Sequence, residues 1–396
     1  MNNRVEPDES VEVNRNPTRF RRLYEHFQKR KLIWIIFFII LIVVIIIIST
    51  ITATMNKTKT EKTSSTTSEL LTTTTTTELL TTTTTNEQLL PSVMIDNNTK
   101  WKQNAFTIAG GNGQGSESNQ LDQPSGIYID NDDQSIYIAD TYNHRIVRWE
   151  FGADNGEIVA GGNGRGGEIN QFSYPIDVIL DKDKKYLIIC DYGNGRVVRW
   201  SRHDTHNQQI LIHNSLCQGL AMDNNGDLYF SDEGRDSVRR FQQGDEKSTV
   251  VAGGKGNGNQ FNQLNVPLFI FVDKYHSVYV ADSMNNRVMK WVENATEGIL
   301  VAPEQVFDEN PSSMPEPMSV VVDHMGNAYV STGENHHIVR WVPDAIKGVP
   351  VVGEKESGRG PTQLGNPEDL SFDRQGNLYV ADTGNHRIQK FDIDRD

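Results

Sequence analysis

Six copies of one motif, one unbroken apolar run and a threonine-dense stretch between them predict the fold class. The expectation is all-β: a six-bladed β-propeller, preceded by a single transmembrane helix and a disordered Thr-rich stalk. The copies are IYIADTYNHRIVRW (136–149), LIICDYGNGRVVRW (187–200), LYFSDEGRDSVRRF (228–241), VYVADSMNNRVMKW (278–291), AYVSTGENHHIVRW (328–341) and LYVADTGNHRIQKF (378–391). Their anchor positions 140, 191, 232, 282, 332 and 382 are spaced by 51, 41, 50, 50 and 50 residues.

In chain order the first segment, 1–31, is a polar cytosolic tail holding eight Lys/Arg and five Asp/Glu. Leu32 to Ile48 is seventeen consecutive apolar residues, and with its neutral flank to residue 54 it covers a bilayer core of roughly 30 Å. Arg15, Arg19, Arg21, Arg22, Lys29, Arg30 and Lys31 precede it, whereas only Lys57, Lys59 and Lys62 follow closely. The positive-inside rule therefore predicts a signal-anchor: a single-pass type II membrane protein with everything after Met55 outside the cytosol, most simply at the cell surface. Residues 55–100 form the stalk, with sixteen threonines between 58 and 85. Such a composition cannot bury enough apolar surface to offset the ordering of its backbone. Dense Ser/Thr outside the cell suits O-glycosylation, and the sequons at Asn97 and Asn294 suit N-glycosylation.

Residues 101–396 hold the propeller. Each copy divides into an apolar run ending in Asp (GIYID, IDVILD, GLAMD, FIFVD, SVVVD, DLSFD), a strand ending in Ala-Asp or its variants, and a strand of the Arg-Ile-Val-Arg-Trp type. A last strand such as EIVAG (157–161) follows. Val, Ile and Tyr punctuated by Gly, Asn and Asp at this spacing are strand-and-turn chemistry. The chain ends after the third strand of the sixth copy, while AFTIAGG (105–111) precedes the first copy as an orphan fourth strand. Pairing 105–109 with the last blade would close the ring and remove an exposed edge. The pattern Tyr-Val-Ala-Asp-Thr-Gly-Asn-His-Arg-Ile-Gln-Lys-Phe at 379–391 resembles the NHL repeat, and the resemblance covers about 101–396. It implies a propeller used elsewhere in receptor ectodomains, in substrate-binding ends of ubiquitin ligases and in the peptidyl-amidating lyase, so it implies a fold rather than one function.

The polar residues that recur within the repeat are Asp140 with Arg145, Asp191 with Arg196, Asp282 with Arg287 and Asp382 with Arg387. They suit scaffold, with Asp capping the turn between second and third strands and Arg bracing that turn. The pattern fails at Ser237 in blade 3 and at Thr332 and His337 in blade 5. Asp223-Asn-Asn-Gly-Asp227 resembles half a calcium loop, but its twelfth position is Gly234, so a hairpin turn is expected. The loops GGNGQG, GGNGRG and GGKGNG lack the Lys-Ser/Thr of a phosphate loop. His203, His206 and His213 are off-pattern, and no nucleophile elbow is present. Cys190 and Cys217 fall on one rim of neighbouring blades, where an oxidising exterior makes a disulfide plausible; two buried thiols are the alternative.

The charge of −14 becomes about −17 after residue 31, which disfavours nucleic acid as a partner. The best-supported function is a surface-presented binding or adhesion module for an extracellular protein, peptide or glycan. The expected binding site is the loop 302–317, through Glu304, Phe307, Asp308 and Glu309, because it departs most from the Gly-rich template. A metal-dependent ectoenzyme resembling the amidating lyase and signalling through the short tail are the alternatives. No cofactor is expected; zinc or calcium on the axis belongs to the ectoenzyme alternative.

Overall fold

The computed structural model describes residues 95–204, 207–303 and 316–395. Six four-stranded antiparallel sheets stand in a ring. The innermost strands are Pro124–Asp130, Pro175–Leu180, Cys217–Met222, Pro267–Val272, Pro317–Val322 and Pro367–Phe372, each touching the next and the last touching the first. Blades 1 to 5 run outward in chain order. Blade 6 takes its outer strand from the other end of the described chain: Phe106–Gly110 pairs antiparallel with Arg387–Phe391. No helix among the described residues is long and apolar enough to cross a membrane, and the apolar run 32–48 lies outside them.

Position within a blade explains the strand sequences. A second strand such as Ser135–Asp140 or Leu378–Asp382 is buried at every residue, being flanked by strands on both sides and covered by neighbouring blades on both faces. Hence these runs are almost wholly apolar instead of alternating. The outer strands Glu157–Gly161 and Thr249–Gly253 bury fully only their penultimate alanine. Hydrophobic clusters form at the seams. Tyr137 packs with Val178, Leu187 and Trp200 of blade 2, Tyr229 with Ile270 and Trp291 of blade 4, and Tyr379 with Ile127 and Trp149 of blade 1. Burying one such side chain contributes about 1.5–3 kcal/mol, so the seams carry much of the apolar stabilisation.

Residues 95–100, expected in the stalk, fold onto blades 5 and 6. Ile95 is fully buried, Arg340 Nη1 donates to Thr99 O (3.0 Å), and Trp101 Nε1 donates to Gly376 O (2.9 Å). Lys100–Trp101 pairs with Ile393–Asp394, continuing the tie between the two ends of the described ring.

In blades 1, 2, 4 and 6 the polar part of the seam is built from the repeat motif. In blade 1, Asp140 Oδ1 accepts the Asp122 N–H (2.7 Å) from the loop entering that blade, while Oδ2 accepts Arg145 Nε (2.6 Å). Arg145 then donates to the carbonyls of Ser116, Glu117 and Gln120 in the same loop. In blade 2, Asp191 Oδ1 accepts the Ser173 N–H (2.8 Å) and Oδ2 accepts Arg196 Nε (2.7 Å). The guanidinium of Arg196 goes on to the carbonyls of Gly167 (3.0 Å), Glu168 (2.8 Å) and Gln171 (2.8 Å). Blades 4 and 6 repeat the arrangement, with Nε to Oδ2 at 2.6 Å both from Arg287 to Asp282 and from Arg387 to Asp382.

This refines the expected target of the pair. Asp140, Asp191, Asp282 and Asp382 accept no backbone N–H of the turn that follows them, but each holds that turn through its asparagine, Asn143, Asn194, Asn285 and Asn385, whose side-chain amides donate to the carboxylates. Nor do Arg145, Arg196, Arg287 and Arg387 brace that turn's backbone: beyond the aspartate, their donors go to the loop entering the blade. The physical reason is donor supply. The incoming loop carries backbone groups outside any strand ladder, and a five-donor guanidinium can gather three of its carbonyls at once. Gly-rich loop and Asp/Arg pair therefore occur together.

A second contact crosses five of the six seams. The residue ending the short turn after the second strand is left-handed, at φ 55° in His144 and 57° in His386. Its side chain meets the backbone N–H just before the next blade's first strand. His144 Nδ1 accepts from Tyr174 (3.2 Å), Asp236 Oδ1 from Val266 (3.3 Å), Asn286 Oδ1 from Glu316 (3.0 Å), His336 Nδ1 from Asn366 (3.2 Å) and His386 Nδ1 from Gln123 (3.1 Å). Between blades 2 and 3 the position is Gly195, which has no side chain to offer. There Cys190 and Cys217 form a disulfide, with Cα atoms 5.4 Å apart.

Breaking one Asp/Arg pair strands a buried carboxylate. Arg287→Ala should therefore cost about 3–5 kcal/mol in urea unfolding. A loss below about 1 kcal/mol, the range of exposed pairs, would show the brace to be dispensable.

Candidate functional site

Several sequence candidates resolve into architecture. Arg196, like Arg145, Arg287 and Arg387, is buried in its seam with Asp191 and faces no cavity-lining residue of the axis, so the repeated pairs form no functional ring. The loop Asp223–Asp227 is a hairpin turn: Asp223 Oδ1 accepts the N–H groups of Asn225 and Asp227, both at 2.9 Å, and Gly226 sits at φ 90°. His203 and His213 are exposed, and His206 lies outside the described residues. Among the described residues no three His, Cys, Asp or Glu side chains converge as a metal site would need. Asn97 and Asn294 are exposed. Glu304, Phe307, Asp308 and Glu309 lie outside the described residues.

The concavity is on the axis. One compartment, of about 270 Å³, is walled by innermost strands of all six blades, from Ile127 and Asp177 round to Asp369. It shares Tyr128, Asn224, Phe271, Val321 and Ser371 with a second compartment of about 460 Å³ that opens at the rim of the first-to-second-strand hairpins. Such volumes suit a small ligand or one inserted side chain of a larger one.

The mouth is aromatic with one cationic sector. Tyr128, Phe271 and Phe372 form its wall, and Tyr275, 69% exposed, stands at the lip beside the exposed Met325. Phe372 is held from behind by Trp101, stacked at 5.8 Å between ring centroids, so the N-terminal segment buttresses this wall. Burial, reinforced by the Asp130 and Asp132 carboxylates, pushes the Tyr128 phenol well above its ordinary range, so it enters the site as a neutral donor. Lys290 is spoken for, 3.4 Å from Asp273 Oδ2 and 4.7 Å from the Tyr279 ring centroid. Lys274 touches only the Tyr275 ring face (5.2 Å) and has no carboxylate partner among the described residues.

Deeper on the axis lie Asp177 and Asp369, and Glu368 stands beside Asp369 on the same innermost strand; the repeat requires none of these three carboxyl groups. Asp177 Oδ2 accepts the Leu220 N–H (2.7 Å) and Asp369 Oδ2 the Ile127 N–H (2.9 Å), so each clips its innermost strand to that of the following blade. Asp369 Oδ1 also accepts Ser319 Oγ (2.8 Å), and Ser125 Oγ donates to Glu368. Glycine is needed opposite: a Cβ on Gly126 would lie 2.4 Å from Asp177 Oδ1, and one on Gly219 2.6 Å from Phe269 Cα. Burial raises all three carboxyls, and the Asp369 charge raises Asp177 further. Although Glu368 as a residue is only partly buried, its carboxyl is pushed up from 4.5 to about 7. Sequence reasoning missed these groups, although Asp177 and Asp369 each interrupt an apolar strand.

These groups take up protons on folding. Their stabilisation is complete below the unfolded carboxylate range and is lost as pH rises through about 7 for Glu368. The melting midpoint of the wild type should therefore fall between about pH 5.5 and about pH 8, and Glu368→Gln should remove part of that slope, worth at most about 3 kcal/mol. Identical pH slopes for the two proteins would overturn the assignment.

The NHL repeat model matches residues 121–149 and 364–391, the first and last copies of the motif. Solved structures share the fold at low identity. An auxiliary nutrient binding protein from Bacteroides thetaiotaomicron superposes with a TM-score of 0.55 at 15% identity, covering 77% of this chain and 75% of its own. One from Bacteroides ovatus gives 0.54 at 14%, covering 78% and 76%. A gluconolactonase from Xanthomonas campestris gives 0.52 at 13%, covering 69% and 87%. The chain is thus a six-bladed β-propeller whose first and last copies of the motif match the NHL repeat.

Proposed function

We propose that the protein is a single-pass type II membrane protein whose propeller acts outside the cell as a binding module for an extracellular protein, peptide or glycan. The ligand places an apolar or aromatic group bearing an acidic function in the axial mouth. The observation that carries this reading is the mouth itself: about 460 Å³, walled by Tyr128, Phe271 and Phe372, with the Lys274 ammonium unpaired among the described residues. Aromatic walls supply affinity by desolvation, and a lone cation at the lip selects an anion. The fold alone does not choose, because it serves nutrient-binding proteins and a gluconolactonase alike.

Membrane placement rests on the seventeen-residue apolar run and the seven cationic residues immediately before it. A disulfide between Cys190 and Cys217 suits an oxidising compartment. Glycosylation at the exposed Asn97 and Asn294 follows from that topology.

Two measurements test the reading. On peptide and glycan arrays probed with the full chain, hits should carry an acidic group next to an apolar one. Phe271→Ala and Lys274→Glu should each weaken them about tenfold or more, the loss of one good contact. Undiminished binding by both variants would move the site elsewhere. In cells, endoglycosidase should increase the mobility of the wild type, and Asn97→Gln with Asn294→Gln should abolish most of the shift. No shift in the wild type, with the C-terminus protected from external protease, would reverse the topology.

A further inference from the structure

The seat of the repeated Asp/Arg pair is altered in two blades, and the two behave differently. In blade 5, Thr332 and His337 replace the pair and bond within the blade: Thr332 Oγ1 donates to His337 O (3.1 Å), and His337 Nδ1 contacts Asn335 O (2.5 Å). In blade 3 the carboxylate is kept and the arginine is not. Asp232 stands opposite Ser237 in the same register as Asp140 opposite Arg145. No Gly-rich loop enters this blade. Ser215, two residues before its first strand, sends its N–H to Gly195 O (3.0 Å) rather than to the carboxylate. Three buried oxygens consequently have no hydrogen-bond partner among the described residues: Asp232 Oδ1, Ser215 Oγ and Ser237 Oγ. Their residues are 1%, 2% and 0% exposed. Ser237 is the register partner of Asp232, and Leu216, next to Ser215, accepts the N–H of Glu233, next to Asp232 (3.0 Å), so the three residues are neighbours. Orphaned buried oxygens cost about 1–3 kcal/mol each, which calls for compensation.

We infer that the seat between blades 2 and 3 binds a sodium-sized monovalent cation, held by Asp232 Oδ1 and the hydroxyls of Ser215 and Ser237. The donors are all oxygen, which selects a hard cation over zinc or copper. Asp232 Oδ2 is already engaged by Arg235 Nη1 at 2.5 Å, leaving less than one full negative charge for the site. That favours a monovalent ion over calcium, which takes more carboxylates and six to eight oxygens. The ion stands at the carboxylate oxygen to which blades 1 and 2 bring the incoming loop's backbone N–H, and beside the disulfide it completes the seam that has no side-chain latch.

The test is thermal unfolding of the full chain in detergent, in sodium, potassium, calcium or choline chloride at equal ionic strength. Sodium should raise the midpoint over choline by about 2–4 °C, saturably. Ser237→Ala and Asp232→Asn should lose that difference, and Ser237→Arg should lose it by supplying the guanidinium itself. Should the variants unfold, ²³Na relaxation on the wild type should show saturable excess broadening, competed by potassium. Coincident sodium and choline midpoints would mean an ordered water only and overturn the inference. So would a full sodium response retained in Ser237→Ala, or a larger response to calcium than to sodium.

Discussion

A ring of separate sheets is only as strong as its seams, and here five of the six seams depend on a side chain capturing the backbone of the next element. The Asp/Arg pair gathers the incoming loop, and the left-handed turn residue, His144 in blade 1, takes the last free N–H before the new strand. The Asp/Arg contact lies where water is excluded, so its hydrogen bonds are costly to lose, whereas the latch is part-buried. The apolar clusters could form between blades at several offsets. The polar contacts admit one offset, because an Nε to Oδ2 distance of 2.6 Å tolerates no sliding.

The departures from this scheme are ordered. Gly195 removes the latch between blades 2 and 3, the short connection removes the loop, and Ser237 removes the arginine, all at one seam. The same seam carries the disulfide, which replaces a set of weak contacts with a covalent one. Blade 5 lost the pair as well, and its replacements hydrogen-bond within the blade. Variation in the pattern has thus been compensated locally, seam by seam, as expected of a quasi-repeating structure.

On the axis the logic reverses. There the six copies must differ, because a ring of six identical side chains would either clash or leave a uniform channel. Gly126 and Gly219 let neighbouring strands approach, Asp177 and Asp369 clip strands across seams, and Phe271 with Phe372 fills part of the mouth. The result is asymmetric: aromatic wall, a lysine at the lip and carboxyl groups inside. Asymmetry gives a symmetric scaffold its one distinctive surface.

The repeat, the strand content and the count of six blades were legible in the sequence, since each rests on local pattern: period, turn residues and alternation. The scaffold role of the Asp/Arg pairs was legible, though the target of the arginines was not. Arg196 reaches back 25 to 29 positions to the loop before its blade, where local pattern pointed to the turn beside it. Nor were Trp101 behind Phe372, the turn-residue latches, the axial carboxyls or the mouth legible. Each of these joins residues from different blades, and Asp177 meets Leu220 across 43 positions. A one-dimensional period says what every copy shares. Only closure of the ring decides which side chains of non-identical copies face one another, because convergence on an axis is a property of three dimensions.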